Sequence, residues 1–216
     1  MKISIFTRWF AVWLPASFCL SSAILCNGAS TTGGRGDALA NDPRLDMITA
    51  IEAMGPHRSL ADPAKIFDRF VGRWDVEYTD FSKDGKVTHR SGEFIVGWVM
   101  DGRVIQDFWI VYPSGTHTER EVYTELRYYD RKSATWPMTF IDPEHASVAR
   151  FTGSAARDDR IVFDTRDFDG TDTRWSINDI RADSFAWREE ESLDGGKTWR
   201  LLAEHHMKRR GAAPDR

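Results

Sequence analysis

The chain has 216 residues, and its 29 Lys and Arg against 33 Asp and Glu leave a net charge of −4. Basic residues are scattered, Lys208-Arg209-Arg210 being the one run of three, which argues against a nucleic-acid partner held by phosphate neutralisation. Both cysteines, Cys19 and Cys26, fall in the first 28 residues, so removal of that segment excludes disulfide frameworks, zinc–thiolate sites, iron–sulfur clusters and cysteine nucleophiles.

Residues 1–28 read as a secretory signal peptide. Lys2 and Arg8 supply the charged start, Trp9 to Cys26 is uncharged and mostly apolar, and small polar residues follow. Cleavage near Gly28 or Ala29 predicts a periplasmic or secreted protein. A retained anchor is the alternative, weakened by Pro15 and several serines in a stretch near the lower length for a bilayer span. Lipidation at Cys26 would need a small residue before it, where Leu25 stands. Residues 29–42 are rich in Gly, Ser, Thr and Asp and read as a flexible linker, in which Arg35-Gly36-Asp37 is a chance tripeptide. Beyond the signal no apolar run is long enough to span a membrane, and about 150 residues remain for one domain.

Asp42-Pro43 is a helix start, Leu45, Ile48 and Ile51 recur every three residues, and Gly55-Pro56 stops the helix. Asp62-Pro63 repeats the start signal for a shorter helix with the stripe Ile66, Phe67 and Phe70, which exits at Gly72. From Trp74 the period becomes two: Trp74, Val76 and Tyr78 alternate with Asp75, Glu77 and Thr79. Lys83-Asp84-Gly85-Lys86 turns into a long strand ending at Val99, and Asp101-Gly102 is a two-residue hairpin signal before Val104–Tyr112. Strands follow at Glu119–Tyr129, Trp136–Ile141, Val148–Ser154, Ile161–Arg166, Arg174–Ile180, Phe185–Ser192 and Thr198–Met207, each bounded by turn residues.

About ten strands joined by tight turns predict an all-β, antiparallel up-and-down meander. Closing it into a barrel removes both edges, a sandwich being the alternative. The Phe67/Phe70 helix is expected to plug one mouth. The domain plan is then 43–61 for the first helix and its connection, 62–210 for the barrel and 211–216 for a disordered tail.

Several residues carry a resemblance. Gly72-Arg73-Trp74 after a short helix resembles the calycin group of lipocalins, fatty-acid-binding proteins and nitrobindins. From about Ile66 to Arg210 the chain resembles a bacterial family of exported and cytosolic domains of unknown function. The residues concerned are Phe70–Trp74, Asp101–Trp109, Tyr128-Tyr129-Asp130, Phe140–Pro143, Arg174-Trp175 and Ser192–Trp199. The resemblance implies a lipocalin-like barrel and no particular reaction. Ser192 to Trp199 also matches the Asp-box turn of sialidase propellers, read here as a structural hairpin turn.

Alternation assigns the lumen. Trp74, Val76 and Tyr78 point inward, and so on this reading do Val122, Thr124, Leu126 and Tyr128, with Glu119, Glu121, Glu125 and Arg127 outside. Phe185 and Trp187 share a face with Trp199, Leu201, Ala203, His205 and Met207 of the last strand, which puts His205 near Trp187 or its diagonal neighbour. His206 faces in instead if that strand is rotated. Glu189 and Glu191 share the parity of Trp187 and are expected at a wet barrel mouth, unless a bulge turns them out. Residues 94–99 and 105–111 are apolar on both faces, so the outer one needs cover from the Leu45–Ile51 helix or from a second copy in a homodimer.

The expected ligand is a small, mostly apolar molecule in the lumen, met by Tyr78, Trp98, Tyr128, Trp187 and His205. Gln106-Asp107 and Arg174-Trp175 are polar intrusions into apolar strands that either anchor a ligand or tie strands together, and His145 belongs to a solvated loop. An isomerase, lyase or hydrolase using His205 or a mouth carboxylate is the catalytic alternative. A barrel filled by its own side chains is the structural one. No metal or cofactor is expected from the motifs, which include no Gly-x-Ser-x-Gly, His-Glu-x-x-His or phosphate loop. The resemblance to nitrobindins adds one alternative, haem ligated by His205, although the glycine-rich pattern those proteins carry after Gly-x-Trp is replaced by Val76-Glu77-Tyr78.

Overall fold

The computed structural model describes residues 43–157, 159–166 and 170–211. The signal segment, the linker and residues 212–216 of the tail lie outside them. Among the described residues two short helices come first, α1 (Pro43–Ile51) and α2 (Ala61–Asp68), with the two-residue strand β1 (Glu52–Ala53) between. Ten strands follow: β2 (Gly72–Phe81), β3 (Val87–Val99), β4 (Val104–Val111), β5 (Glu121–Tyr128), β6 (Trp136–Asp142), β7 (Ser147–Arg157), β8 (Arg160–Arg166), β9 (Asp172–Asn178), β10 (Ser184–Ser192) and β11 (Arg200–Arg209).

Each of these ten strands pairs antiparallel with its neighbour in sequence, and β11 returns to β2, with Ala203 opposite Asp80 and His205 opposite Tyr78. The meander is therefore a closed ten-stranded barrel, as its tight turns predict, and the two-sheet sandwich is excluded. Closure leaves the ten strands without a free border to recruit other chains. The turn between β3 and β4 is longer than the two residues expected. Val99 pairs with Val104, and Met100, Asp101 and Gly102 all adopt left-handed backbone, with φ of 53°, 56° and 72°. Glycine is required at the third of these. A Cβ on Gly102 would stand 2.2 Å from the Gly55 carbonyl oxygen, where the connection from β1 to α2 is held by a His57 N–H donating to Gly102 O at 2.8 Å.

Helix α2 closes one end. It begins at Ala61, one residue before the expected Asp62 cap, and Asp62 lies in its first turn, where a negative charge complements the helix dipole. Phe67 sits edge-on to Trp136 at 4.6 Å and Phe70 edge-on to Phe185 at 5.0 Å. The indole N–H of Trp74 donates to Phe70 O at 2.8 Å, and that of Trp98 to Asp68 Oδ1 at 3.0 Å. The Trp of Gly-x-Trp thus joins plug to wall. The other end collects charge, because β2, β4, β6, β8 and β10 finish there and their last inward positions include Asp80, Asp142, Glu189 and Glu191.

Three expectations are corrected. Helix α1 does not cover the outer wall: Leu45, Ile48 and Ile51 are 43%, 52% and 42% exposed. In β5 the faces are reversed. Tyr123, Glu125 and Arg127 are buried and Tyr128 is 51% exposed, because the charges satisfy one another inside, whereas alternation alone sent them to water. In β11 the pairing shifts after Glu189, which faces Ala203, so that Glu190 faces Leu201 and Leu202 is buried as the extra residue. This bulge takes Leu201 off the inward face of Ala203, while Glu189 and Glu191 stay buried rather than wet.

Candidate functional site

The lumen is built around His205, which is fully buried. Strand register sets its neighbours, since Trp187 of β10 and Tyr78 of β2 lie directly opposite it on either side. The imidazole stacks on Trp187, with ring centres 4.9 Å apart, and meets Tyr78 at 4.7 Å and Trp109 at 5.9 Å. Trp187 in turn meets Trp175 at 5.1 Å, so the aromatic cluster spans the barrel. Burial drives the His205 pKa down to about 3, against a rise from the Glu204 backbone carbonyl, while Arg90 and His206 add to the fall. The imidazole is neutral at physiological pH. Burial likewise raises the Tyr78 phenol, which stays protonated.

Two glycines make room for these rings. A Cβ on Gly92 would stand 1.8 Å from Ile110 O and 3.0 Å from the Tyr78 ring. A Cβ on Gly153 would stand 2.3 Å from the ring of Phe163, its partner across β7 and β8.

Each end of the lumen carries one guanidinium between two carboxylates. Near α2, Arg127 binds both Asp107 and Glu125, with Asp107 opposite Glu125 in the register and every side chain at most 4% exposed. The guanidinium also lies over Phe67 and Phe163, 5.6 Å and 5.2 Å from their ring centres, so the plug covers the triad. Burial raises the Asp107 pKa to about 6 despite the lowering by Arg127 and by a hydrogen bond from Trp109. At the helix-free end Arg90 holds Glu121 at 3.0 Å and Asp80 at 3.3 Å, and Tyr123 donates to Glu121. Burial raises Asp80 in the same way, against Arg90. Glu191 pairs there with Arg200 at 2.7 Å and Lys83 at 3.7 Å. Each triad sets two carboxyl groups against one guanidinium, and burial raises the pKa of one carboxyl in each, Asp107 and Asp80.

No protein-family model matches the chain, and no curated protein does. Among solved structures, an S-type phycobiliprotein lyase (CPES) from Guillardia theta superposes with a TM-score of 0.51 at 12% identity, over 69% of this chain and 93% of that one. At that identity the likeness is one of fold. A redesigned β-barrel aligns with a TM-score of 0.34 at 10% identity, covering 74% of this chain and all of the other.

Within this barrel the five residues singled out in sequence part company. Tyr78, Trp187 and His205 come together in the central cluster. Trp98 is buried at the plugged end, bonded to Asp68 of α2. Tyr128 stands on the outer wall. Of the polar intrusions, Asp107 faces in, whereas Gln106 faces out and donates to Thr124 Oγ1 at 3.0 Å. Trp175 is buried, and Arg174 pairs with Asp164 at 2.7 Å while lying over the Trp199 ring at 4.1 Å. His145 is held by Asp142 at 2.7 Å. The Asp-box turn is structural: Asp194 accepts from the backbone N–H of Lys197 and Thr198 at 3.0 Å and 2.9 Å.

The two triads were missed. Their signal lies in β5, where Glu121, Glu125 and Arg127 share the parity of the aromatic Tyr123, and in Asp107, an acid amid an apolar strand.

Proposed function

We propose that this chain is an exported binding protein. It takes a small, mostly apolar molecule at the helix-free end of its lumen, with Tyr78, Trp187 and His205 as the aromatic floor. The observation that carries this reading is a neutral, fully buried His205 boxed by three aromatic rings beneath buried Asp80, Glu189 and Glu191 and the half-buried Arg90. Burying that many ionisable groups costs stability unless they are paired, so an interior that only had to be filled has no use for them. The surplus of carboxylates selects a ligand whose polar end donates hydrogen bonds or carries positive charge. Export rests on the sequence of residues 1–28.

Haem is the poorer fit. The rings of Tyr78, Trp187 and Trp109 stand 4.7, 4.9 and 5.9 Å from the imidazole, in the space a macrocycle on His205 would occupy.

Native mass spectrometry of the exported protein tests for a co-purifying small molecule. Tryptophan fluorescence titrated with a long-chain amine and with the matching fatty acid tests the chemistry. The amine is expected to quench and the acid to bind at least tenfold more weakly, with Trp187→Phe reducing the signal. A protein that carries nothing and answers to neither probe overturns the proposal.

A further inference from the structure

One sector of the barrel's outer wall is free of charge. The outward positions of β3 from Ile95 to Val99, β4 from Val104 to Ile110, β5 from Val122 to Tyr128 and β6 from Pro137 to Ile141 include no Asp, Glu, Lys or Arg. Elsewhere the outer wall is dense in charge, as in Arg73, Asp75 and Glu77 of β2 or Glu204, His206 and Lys208 of β11. Within the bare face Phe108 is 40% and Tyr128 51% exposed, with Ile95, Val99, Val104 and Leu126 half-buried around them. An uncharged, largely apolar patch of this kind, whose Gln106 and Thr124 side chains bond each other, marks an interaction surface.

A second uncovered apolar surface lies at its margin. The stripe Leu45, Ile48 and Ile51 of α1 is 42–52% exposed. The helix is tied to the patch, because Glu52 pairs with Val99 of β3 and Met100 N–H donates to Ile51 O at 3.0 Å. The barrel wall thus lacks a helix and the helix lacks a wall.

We propose that two copies of this chain pair through these surfaces, the α1 stripe of each lying on the bare β3–β6 face of the other. A twofold arrangement satisfies both surfaces at once, since each copy brings one helix and one face, and such isologous contacts close on themselves. Charge points to the same partner. With a net charge of −4 the copies repel one another, and a face without charge lets like-charged molecules approach with no ion to desolvate. A cationic partner would find no carboxylate here to pair with.

The test is the mass of the protein, purified as the cell processes it, by light scattering and sedimentation at micromolar concentrations. The wild type is expected at twice the chain mass. Phe108→Glu and Ile48→Glu, both at exposed positions outside the core, are each expected to raise the dimer dissociation constant about tenfold or more. Lys208→Glu, at an exposed position on the charged part of the wall, is expected to leave it unchanged. Several outcomes overturn the proposal: a monomeric wild type, whether its own α1 covers the face or lipid vesicles capture it; a dimer indifferent to Phe108→Glu; or one indifferent to Ile48→Glu.

Discussion

The imidazole of His205 lies parallel to the indole of Trp187, with 8° between the planes. The two residues are direct cross-strand partners on β10 and β11, so this stack is fixed by register. It also fixes the ionisation of the histidine. The unfolded chain takes up a proton at the ordinary value of 6.5, the folded one only near 3. Stability owed to the neutral ring is complete above pH 6.5 and is lost as pH falls from there to about 3, at about 1.4 kcal/mol per pH unit. Denaturant unfolding followed across this range should give the wild type a slope more positive than that of His205→Gln by this amount, the carboxylates contributing alike to both. Equal slopes in both would mean that the ring is not held neutral.

The triad near the plug makes the opposite prediction. Asp107 is raised from its ordinary 3.8 to about 6, so the folded protein holds a proton there that the unfolded one has released. That contribution is full below pH 3.8 and is lost as pH rises through 6. Asp107→Asn leaves Arg127 with Glu125 alone and should gain on the wild type by about 2–3 kcal/mol between pH 4 and pH 8. Arg127→Met strands two buried carboxylates and should cost about 3–5 kcal/mol at pH 7. Chemical denaturation of the two variants at both pH values reads the contrast directly.

The barrel was legible because its signals are local. Alternation from Trp74 onward and a turn signal every few residues lead to one closed meander, and Phe67 with Phe70 announces a helix with an apolar face. The side-chain faces were legible only where one face is plainly dry, as in β2 and in β10 up to Trp187. In β5 both faces mix charge with apolar groups, and what decides them is that Asp107 from another strand meets Arg127 inside. No pattern within a single strand carries a partner on its neighbour. The Leu202 bulge escaped for the same reason, being a property of pairing rather than of the residues around it.

Two glycines of one strand separate a ring's space from ordinary tolerance. Gly92 and Gly97 both lie in β3, but a Cβ on Gly92 meets Ile110 O at 1.8 Å while one on Gly97 meets nothing within 4 Å. Gly92→Ala must push β3 from β4 and should cost about 3 kcal/mol or more, at the upper end of overpacking. Gly97→Ala faces outward and should be neutral or stabilise by up to about 1 kcal/mol, since it restricts the unfolded chain. Melting temperatures of the pair decide it, and equal effects would contradict the close approach of the two strands.

Gly153 and Phe163 form a coupled pair in the same sense, with a remedy available. The obstacle to a Cβ at position 153 is first the Phe163 ring, at 2.3 Å, and only then the Trp136 carbonyl oxygen at 3.0 Å. Gly153→Ala alone should therefore cost about 1–3 kcal/mol, and Phe163→Leu alone should cost a similar amount by leaving space beneath Phe67 and Arg127. Together they should cost less than the sum, because the methyl added at 153 occupies volume the ring gives up. A coupling of about 1 kcal/mol or more in the double-mutant cycle is the expected result. Strict additivity would mean that the strain lies against the backbone of β6 and that no change at Phe163 can relieve it.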